Sequence, residues 1–245
     1  MRHPNPPLPA WKRSLDLVFC AAVFPVFTLV TLFMALMVRL TSPGPVLFKQ
    51  ERIGLGGRRF KIYKFRTMHV AADTRGHQQH FTALMTSNAP MQKLDAKGDS
   101  RLIAGAWLIR ATGLDELPQI INVLRGEMSV VGPRPCIPYE YEHFTPAQRR
   151  RCESVPGLTG LWQVSGKNRT TFEQMIAFDC AYGQRRSLGL DVKIIVMTPV
   201  ALLVQVCDQV LGRARPAPAA PVTAEKLDSG SPFEPAETAR VGIAR

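Results

Sequence analysis

The most extended feature of the hydropathy pattern lies near the N-terminus, where residues 17–38, LVFCAAVFPVFTLVTLFMALMV, carry no formal charge. As a straight helix this run of 22 residues would cover about 33 Å, one bilayer core. It exceeds the apolar region of a secretory signal and is followed by basic sequence rather than a small-residue cleavage site, so a retained membrane segment is expected. Pro25 lies inside it, where the missing N–H and the ring bend a helix. Residues 46–66, VLFKQERIGLGGRRFKIYKFR, place apolar-rich runs on either side of Gly54, Leu55, Gly56 and Gly57 and predict a β-hairpin. The glycines lack the G-x-x-x-x-G-K-[ST] spacing and a following helix, so they read as a turn rather than a phosphate loop.

Helical periodicity resumes at 103–111 and at 115–124. In the second stretch Leu117, Ile120, Ile121 and Leu124 fall at i, i+3, i+4 and i+7, and Gly126 can end the helix. A third helix is predicted over 172–182, with Thr171 as cap and Gly183 as stop. A fourth, over 191–210, is interrupted by Pro199; its apolar content suits a core helix or one lying at a membrane interface. Residues 69–97 are polar and poorly periodic and read as a surface loop. Its His77 and His80 form an H-x-x-H without a cysteine or a clear helix, which favours solvated histidines over a zinc site. From Arg213 onward, 5 Pro and 8 Ala in 33 residues predict a disordered tail. The fold class expected is α+β, mainly helical, in three parts: an N-terminal segment with the membrane helix (1–41), a folded domain with a small β-hairpin (42–212) and the tail (213–245).

Composition excludes some classes. A chain of 245 residues with 46% hydrophobic content is not globally disordered, and five scattered cysteines without a C-x-x-C pair read as reduced cytosolic thiols, not a disulfide scaffold. The net charge of +12 is unevenly placed: residues 1–66 hold 11 basic and 2 acidic side chains, residues 67–212 hold 15 and 13. Lys12 and Arg13 precede the apolar run, while Arg39, Lys49, Arg52, Arg58 and further cations follow it. The positive-inside rule therefore draws both ends to the cytoplasm. With Pro25 as the break, the segment reads as a re-entrant helix-break-helix that dips into one leaflet and returns; a proline-kinked crossing is the simpler alternative.

Candidate chemistry concentrates in residues 97–135, KGDSRLIAGAWLIRATGLDELPQIINVLRGEMSVVGPRP. Asp115 is placed like an N-cap, Glu116 falls in the first turn, and Pro118 is tolerated there because its missing N–H has no intrahelical partner to lose. This carboxylate pair sits where the helix dipole favours anions, and by position alone it is ordinary capping. Its neighbours point further. Arg110 lies five residues upstream and Arg101 nine before that, and Pro133-Arg134-Pro135 presents a guanidinium from a stiff backbone. An ionised carboxylate among arginines suits attack on a phosphate whose charge the arginines and a divalent cation neutralise. Mg²⁺ held by one carboxylate plus substrate phosphates is a common arrangement for such chemistry.

The motifs KQERIG, KIYKFRTM, DSRL, LDELPQIINVL, MSVVGPRP and VPGLTGLWQVSGKN, in that order and spacing, resemble the bacterial sugar transferase family, the monotopic phosphoglycosyl transferases, over about residues 12–203. The resemblance implies the minimal single-domain form of an enzyme that transfers a sugar 1-phosphate from a UDP-sugar to undecaprenyl phosphate, releasing UMP. That reaction initiates exopolysaccharide, capsule, O-antigen or glycoprotein glycan assembly. It implies that Asp115 is the nucleophile, that Glu116 assists, and that Mg²⁺ bridges Asp115 and the diphosphate. By the same resemblance Pro133, Arg134 and Pro135 contact the nucleotide-sugar, and Lys64, Arg66, Arg101 and Arg110 are candidate phosphate contacts. Nothing in the sequence selects among glucose, galactose and N-acetylated hexosamines. The re-entrant helix, broken at Pro25, and a cytosolic catalytic domain on the inner face of the bacterial plasma membrane are family features too. Minimal members often carry Ser-Pro at the break, whereas Phe24 precedes Pro25 here. Phenylalanine cannot satisfy a freed carbonyl, so Thr28 would have to face the break to do so.

The rival reading is a non-catalytic basic protein of the membrane surface or a nucleic-acid binder, suggested by a sequence pI ≈ 10.0 and by the cations between Arg58 and Arg66. That stretch follows a membrane segment, so anionic lipid headgroups and a diphosphate substrate explain it better than nucleic acid. A two-carboxylate glycosidase is disfavoured, because its acids flank a sugar about 5 to 9 Å apart, unlike neighbours in one helical turn.

Overall fold

The computed structural model describes residues 8–69, 82–85, 87, 90–91 and 101–211; the H-x-x-H pair and the Pro/Ala-rich tail lie outside them. Helix α1, Ala10–Thr41, contains the apolar run and continues through Pro25. The expected interruption is therefore absent at the level of helical structure. Proline removes one backbone donor, the one that would serve Ala21 O, and the flanking turns keep their own bonds. Thr28 does reach back, donating from Oγ1 to Phe24 O at 3.0 Å, but Phe24 O is not the carbonyl that Pro25 leaves unserved.

Along α1 the buried residues Lys12, Asp16, Cys20, Met34 and Val38, with the partly buried Val23, Phe27 and Val30 between them, repeat at helical spacing and face the rest of the protein. The opposite face, including Val18, Val26, Leu29, Leu32 and Leu36, is equally apolar but exposed. A helix apolar on all sides, packed on one side only, is suited to a lipid environment on the other.

Strands β1 (Leu47–Ile53) and β2 (Arg59–Phe65) form the expected antiparallel hairpin, with Leu47 opposite Phe65 and Ile53 opposite Arg59. Its turn includes a short 3₁₀ segment, Leu55–Gly57, in which Gly56 and Gly57 adopt φ of 63° and 78° that favour glycine. The next helix, α2, covers Ala106–Thr112 and starts later than the periodicity suggests. Ile103 donates its N–H to Thr67 O, extending the hairpin's bonding before the chain turns at Gly105. Then come a 3₁₀ turn, Leu114–Gln119, and α3, Ile120–Leu124.

Two three-residue strands, β3 (Ser129–Val131) and β4 (Gly157–Thr159), pair in parallel, which the sequence reading did not foresee. Short helices α4 (Pro138–His143) and α5 (Pro146–Arg149) lie between them, and α6 (Leu161–Val164) follows β4. Helix α7, Phe172–Arg185, begins as predicted with a capping box between Thr171 and Gln174. Gly183 does not stop it; the helix runs on to Arg185. Helix α8, Leu188–Leu211, likewise passes through Pro199 without interruption. Helices α1 and α8 are both long and apolar enough to cross a membrane.

Three buried clusters hold these elements. One joins Cys20 of α1, Ile62 of β2, Ile120 and Val123 of α3, Val130 and Val131 of β3 and Ile194 of α8. A second packs Met34 and Val38 on Phe65, Ile103 and Ile109. The third gathers Ile53, Cys136, Phe144, Trp162 and Phe172 around α7.

The charges before the apolar run have a different occupation from the one expected. Lys12 is buried: its Nζ donates to Asp191 Oδ2 at 2.6 Å, Tyr182 Oη at 2.9 Å and Val131 O at 2.9 Å. One turn on, Asp16 accepts from Ser129 Oγ and the Val130 N–H, each at 2.8 Å. Arg13 serves the C-terminal carbonyls of α3, donating to Val123 O and Leu124 O. The first turns of α1 therefore clamp β3, α3 and α8 together, and Lys12 is not a free positive flank. A charge pattern read along the chain cannot reveal partners that lie far away in sequence.

Candidate functional site

Gly113, at φ 74°, turns the chain out of α2 and starts the 3₁₀ turn that carries Asp115 and Glu116. The Glu116 N–H closes the turn on Gly113 O at 3.0 Å. Asp115 is thus inside the first turn, not its cap, and with the cap moved to Gly113, Pro118 falls inside the 3₁₀ segment instead of in its first turn. Leu114 and Leu117 pack toward the α1 C-terminal cluster, and Ile120 and Val123 toward the central one. The two carboxylates are displayed from a turn anchored on both sides. Asp115 is buried, and Glu116 is half-buried with Oε1 accepting from Lys64 Nζ at 2.8 Å.

Asn122, fully buried, fixes this segment to β2. Its Nδ2 donates to Lys61 O and Glu127 Oε2, and its Oδ1 accepts the Tyr63 N–H. Beyond β2, Arg110 donates from Nη1 to Thr67 Oγ1 at 3.1 Å, and Arg101 O accepts the His69 N–H. The Lys64 and Arg110 side chains therefore lie by the β2 end nearest the dyad, and the Arg101 backbone runs beside it. Arg66 is directed elsewhere: its guanidinium is buried and donates to Ser42 O and Pro43 O, closing the connection between α1 and β1.

The Pro133-Arg134-Pro135 loop follows β3 directly, and each of its three carbonyls has a donor. Pro133 O accepts the Gly157 N–H at 2.9 Å, Arg134 O accepts from Arg151 Nη2 at 3.0 Å, and Pro135 O accepts from Arg52 Nη1 at 3.0 Å. The chain passes so close to the V-P-G-L-T-G segment that side chains have no room. A Cβ on Gly132 would meet Val155 O, one on Gly157 would meet Gly132 N, and one on Gly160 would meet Gly132 O. Those motif glycines are explained by backbone contact alone. The Arg134 guanidinium, held by this frame, stays partly exposed with Glu140 Oε1 3.6 Å away.

Two buried arginines were not singled out by the sequence reading. Arg151 pairs with Asp179, and burial pushes that carboxyl up to about 6 with the arginine only partly offsetting it. Arg52 is also buried, and burial, aided by the field of Arg134, lowers its guanidinium to about 10. The available signal was strand alternation, which sets Gln50 and Arg52 on the same face of β1. Cys136, next to the loop, shares a hydrogen bond with Cys152 that lowers the Cys136 thiol and raises that of Cys152.

Among the described residues no cluster of three or more His, Cys, Asp or Glu side chains is placed to hold a metal. The adjacent carboxylates of Asp115 and Glu116 nevertheless offer the oxygen ligands that Mg²⁺ takes when substrate phosphates and water complete its shell. Pro25 lies far along the chain from these groups, in the middle of α1.

The chain is similar to known proteins along most of its length. The family model described as bacterial sugar transferase matches residues 8–205. The chain is 39% identical over 214 residues to a UDP-glucose:undecaprenyl-phosphate glucose-1-phosphate transferase of Caulobacter vibrioides, covering 82% of this chain and 74% of that one. It is 39% identical over 193 residues to the galactosyl transferase CpsE of Streptococcus agalactiae, covering 76% of this chain but 41% of the relative. With the exopolysaccharide production protein ExoY of Sinorhizobium fredii it shares 38% identity over 192 residues, 76% and 83% of the two chains.

Proposed function

Since the chain belongs to the bacterial sugar transferase family, we propose that it transfers a sugar 1-phosphate from a UDP-sugar to undecaprenyl phosphate, the first membrane step in building a polysaccharide. The observation that carries this reading is the dyad itself: a buried Asp115 next to a Glu116 held by Lys64, with the Arg110 side chain and the Arg101 backbone at the same end of β2. Asp115 attacks the sugar-bearing phosphorus. The bond to the bridging oxygen breaks, UMP leaves with that oxygen, and the sugar phosphate remains on the aspartate as an acyl phosphate. A phosphate oxygen of the polyprenyl acceptor then attacks the same phosphorus and returns Asp115 as a carboxylate. Glu116, oriented by Lys64, positions the reacting groups, and Arg134 contacts the nucleotide-sugar from its braced loop. Asp115 would hold Mg²⁺, which when bound would supply charge neutralisation at the diphosphate.

The acceptor is a lipid, so the dyad has to work beside a membrane. The exposed apolar faces of α1 and α8 suit the protein to that place. Both ends of α1 pack on the same folded body: Lys12 on Asp191 at one end, Met34 and Val38 on Phe65 and Ile109 at the other. This supports a helix that enters one leaflet of the inner membrane without crossing it, with the catalytic domain on the cytoplasmic side.

The test is incubation of detergent-solubilised protein with Mg²⁺ and labelled UDP-sugars in the absence of acceptor. Label is expected on the polypeptide with release of UMP, and Asp115→Asn is expected to lose both. Full turnover by that variant would overturn the nucleophile assignment.

A further inference from the structure

The hairpin is the element that joins the two halves of the site. In its register Phe48 faces Lys64, Gln50 faces Ile62 and Arg52 faces Phe60, so Lys64 and Arg52 project from the same side of the sheet. At one end Lys64 holds Glu116; at the other, Arg52 holds Pro135 O and the Ile53 N–H donates to Cys136 O at 2.8 Å. The four residue steps of β2 from Phe60 to Lys64 set these ends roughly 13 Å apart.

Arg52 differs in kind from the other arginine that holds the loop. Arg151 is matched by the Asp179 carboxylate. Arg52 is 6% exposed, and among the described residues no carboxylate lies within ion-pair distance of it. Its bonds go to two neutral acceptors, Pro135 O at 3.0 Å and Gln50 Oε1 at 2.7 Å, and its Nε has no acceptor. A buried cation without an ion-paired carboxylate is costly, and an anion brought near it offsets that cost. Arg134, Glu140 and Glu116 all lie within its electrostatic reach.

We propose that Arg52 is a positioning residue of the transferase site: it fixes the Pro133–Pro135 loop through Pro135 O and supplies a buried positive charge, not ion-paired to any carboxylate among the described residues, against which the anionic nucleotide is oriented. The proposal rests on the transferase reading and adds to it a residue that never has to touch the reacting atoms.

It is tested on the full chain in detergent with Arg52→Met and Arg52→Lys, measuring UMP release against UDP-sugar concentration, and thermal midpoints with and without UDP. Loss of the charge is expected to raise KM about tenfold or more in Arg52→Met while kcat changes less than about threefold. The UDP-induced rise in midpoint should disappear in that variant, and Arg52→Lys should fall between it and the wild type in KM. A packing role alone would lower the substrate-free midpoint and leave KM of the folded protein unchanged. A folded Arg52→Met with wild-type KM overturns the proposal. Should Arg52→Met not fold, Arg52→Lys decides: a raised KM supports the proposal and a wild-type KM overturns it. If the wild type releases no UMP from any UDP-sugar, the transferase reading fails, and the UDP-induced midpoint shift alone judges Arg52.

Discussion

Lys64 Nζ and Glu116 Oε1 lie 2.8 Å apart, joining the second strand of the hairpin to the turn that carries the carboxylate dyad. The lysine is 19% exposed and the glutamate 45%, so the pair contributes at most about 1 kcal/mol to folding. Its value lies in fixing where Glu116 points. Lys64→Met is expected to lower kcat/KM about tenfold to a hundredfold while the thermal midpoint barely moves. A steady-state assay of UMP release beside a melting curve measures both. A large loss of stability with unchanged kinetics would show that the contact serves the fold instead.

The Lys12–Asp191 pair belongs to the opposite regime. Both side chains are almost fully buried, and removing one partner leaves the other charge stranded, which costs about 3 to 5 kcal/mol. Lys12→Met and Asp191→Leu should each destabilise strongly, whereas the double variant should recover much of the loss because neither member of the pair is left without the other. A double-mutant cycle from denaturation midpoints in detergent reads the coupling. Additive single-variant losses would mean that the two residues act independently.

Local signals made some of these elements legible in the sequence. The hairpin declares itself by apolar runs around glycines, and the start of α7 by its cap Thr171, because turns and caps are chosen by residues close in the chain. The two acids stand out for a similar reason, being adjacent in the chain, and Gly113 instead of Asp115 takes the cap position. Contacts distant in sequence left no periodic trace. The β3–β4 pair has three residues per strand, too few to alternate, and Gly132, Gly157 and Gly160 are needed only because two separate segments cross there. Lys12 looked like a membrane flank, since nothing near it in the chain announces Asp191, 179 residues away.

Asp179 gives the fold a pH dependence of defined sign. Burial raises its folded-state value to about 6, above the ordinary 3.8, so the folded protein binds the proton more tightly than the unfolded chain. The stability this proton contributes is fully present below pH 3.8 and is lost as pH rises to about 6. Asp179→Asn cannot titrate. The stability of the wild type relative to that variant should therefore decline between about pH 4 and 6 and stay level above. Denaturation of both proteins across this range measures the difference, and a gap that widened with rising pH would contradict burial as the dominant influence on Asp179.

Helix α1 makes the most direct prediction about the membrane. A crossing helix delivers its two ends to opposite faces of a bilayer, yet here Lys12 is locked to Asp191 and Tyr182 while Val38 and Ser42 lie beside Phe65 and Arg66. Since β2 spans the two attachment regions through Ile62 and Phe65, pulling the ends apart across a membrane would tear both clusters and strand a buried charge. Single cysteines at Ala10 and Pro45, both exposed, introduced with Cys207→Ser to remove an exposed thiol, should be labelled by an impermeant maleimide from the same side of sealed vesicles. A cysteine at Leu29, exposed on the outer apolar face of α1, should be protected from the reagent on either side. Labelling of the two flanking cysteines from opposite sides would establish a crossing helix and require the contacts at one end of α1 to be broken in the membrane.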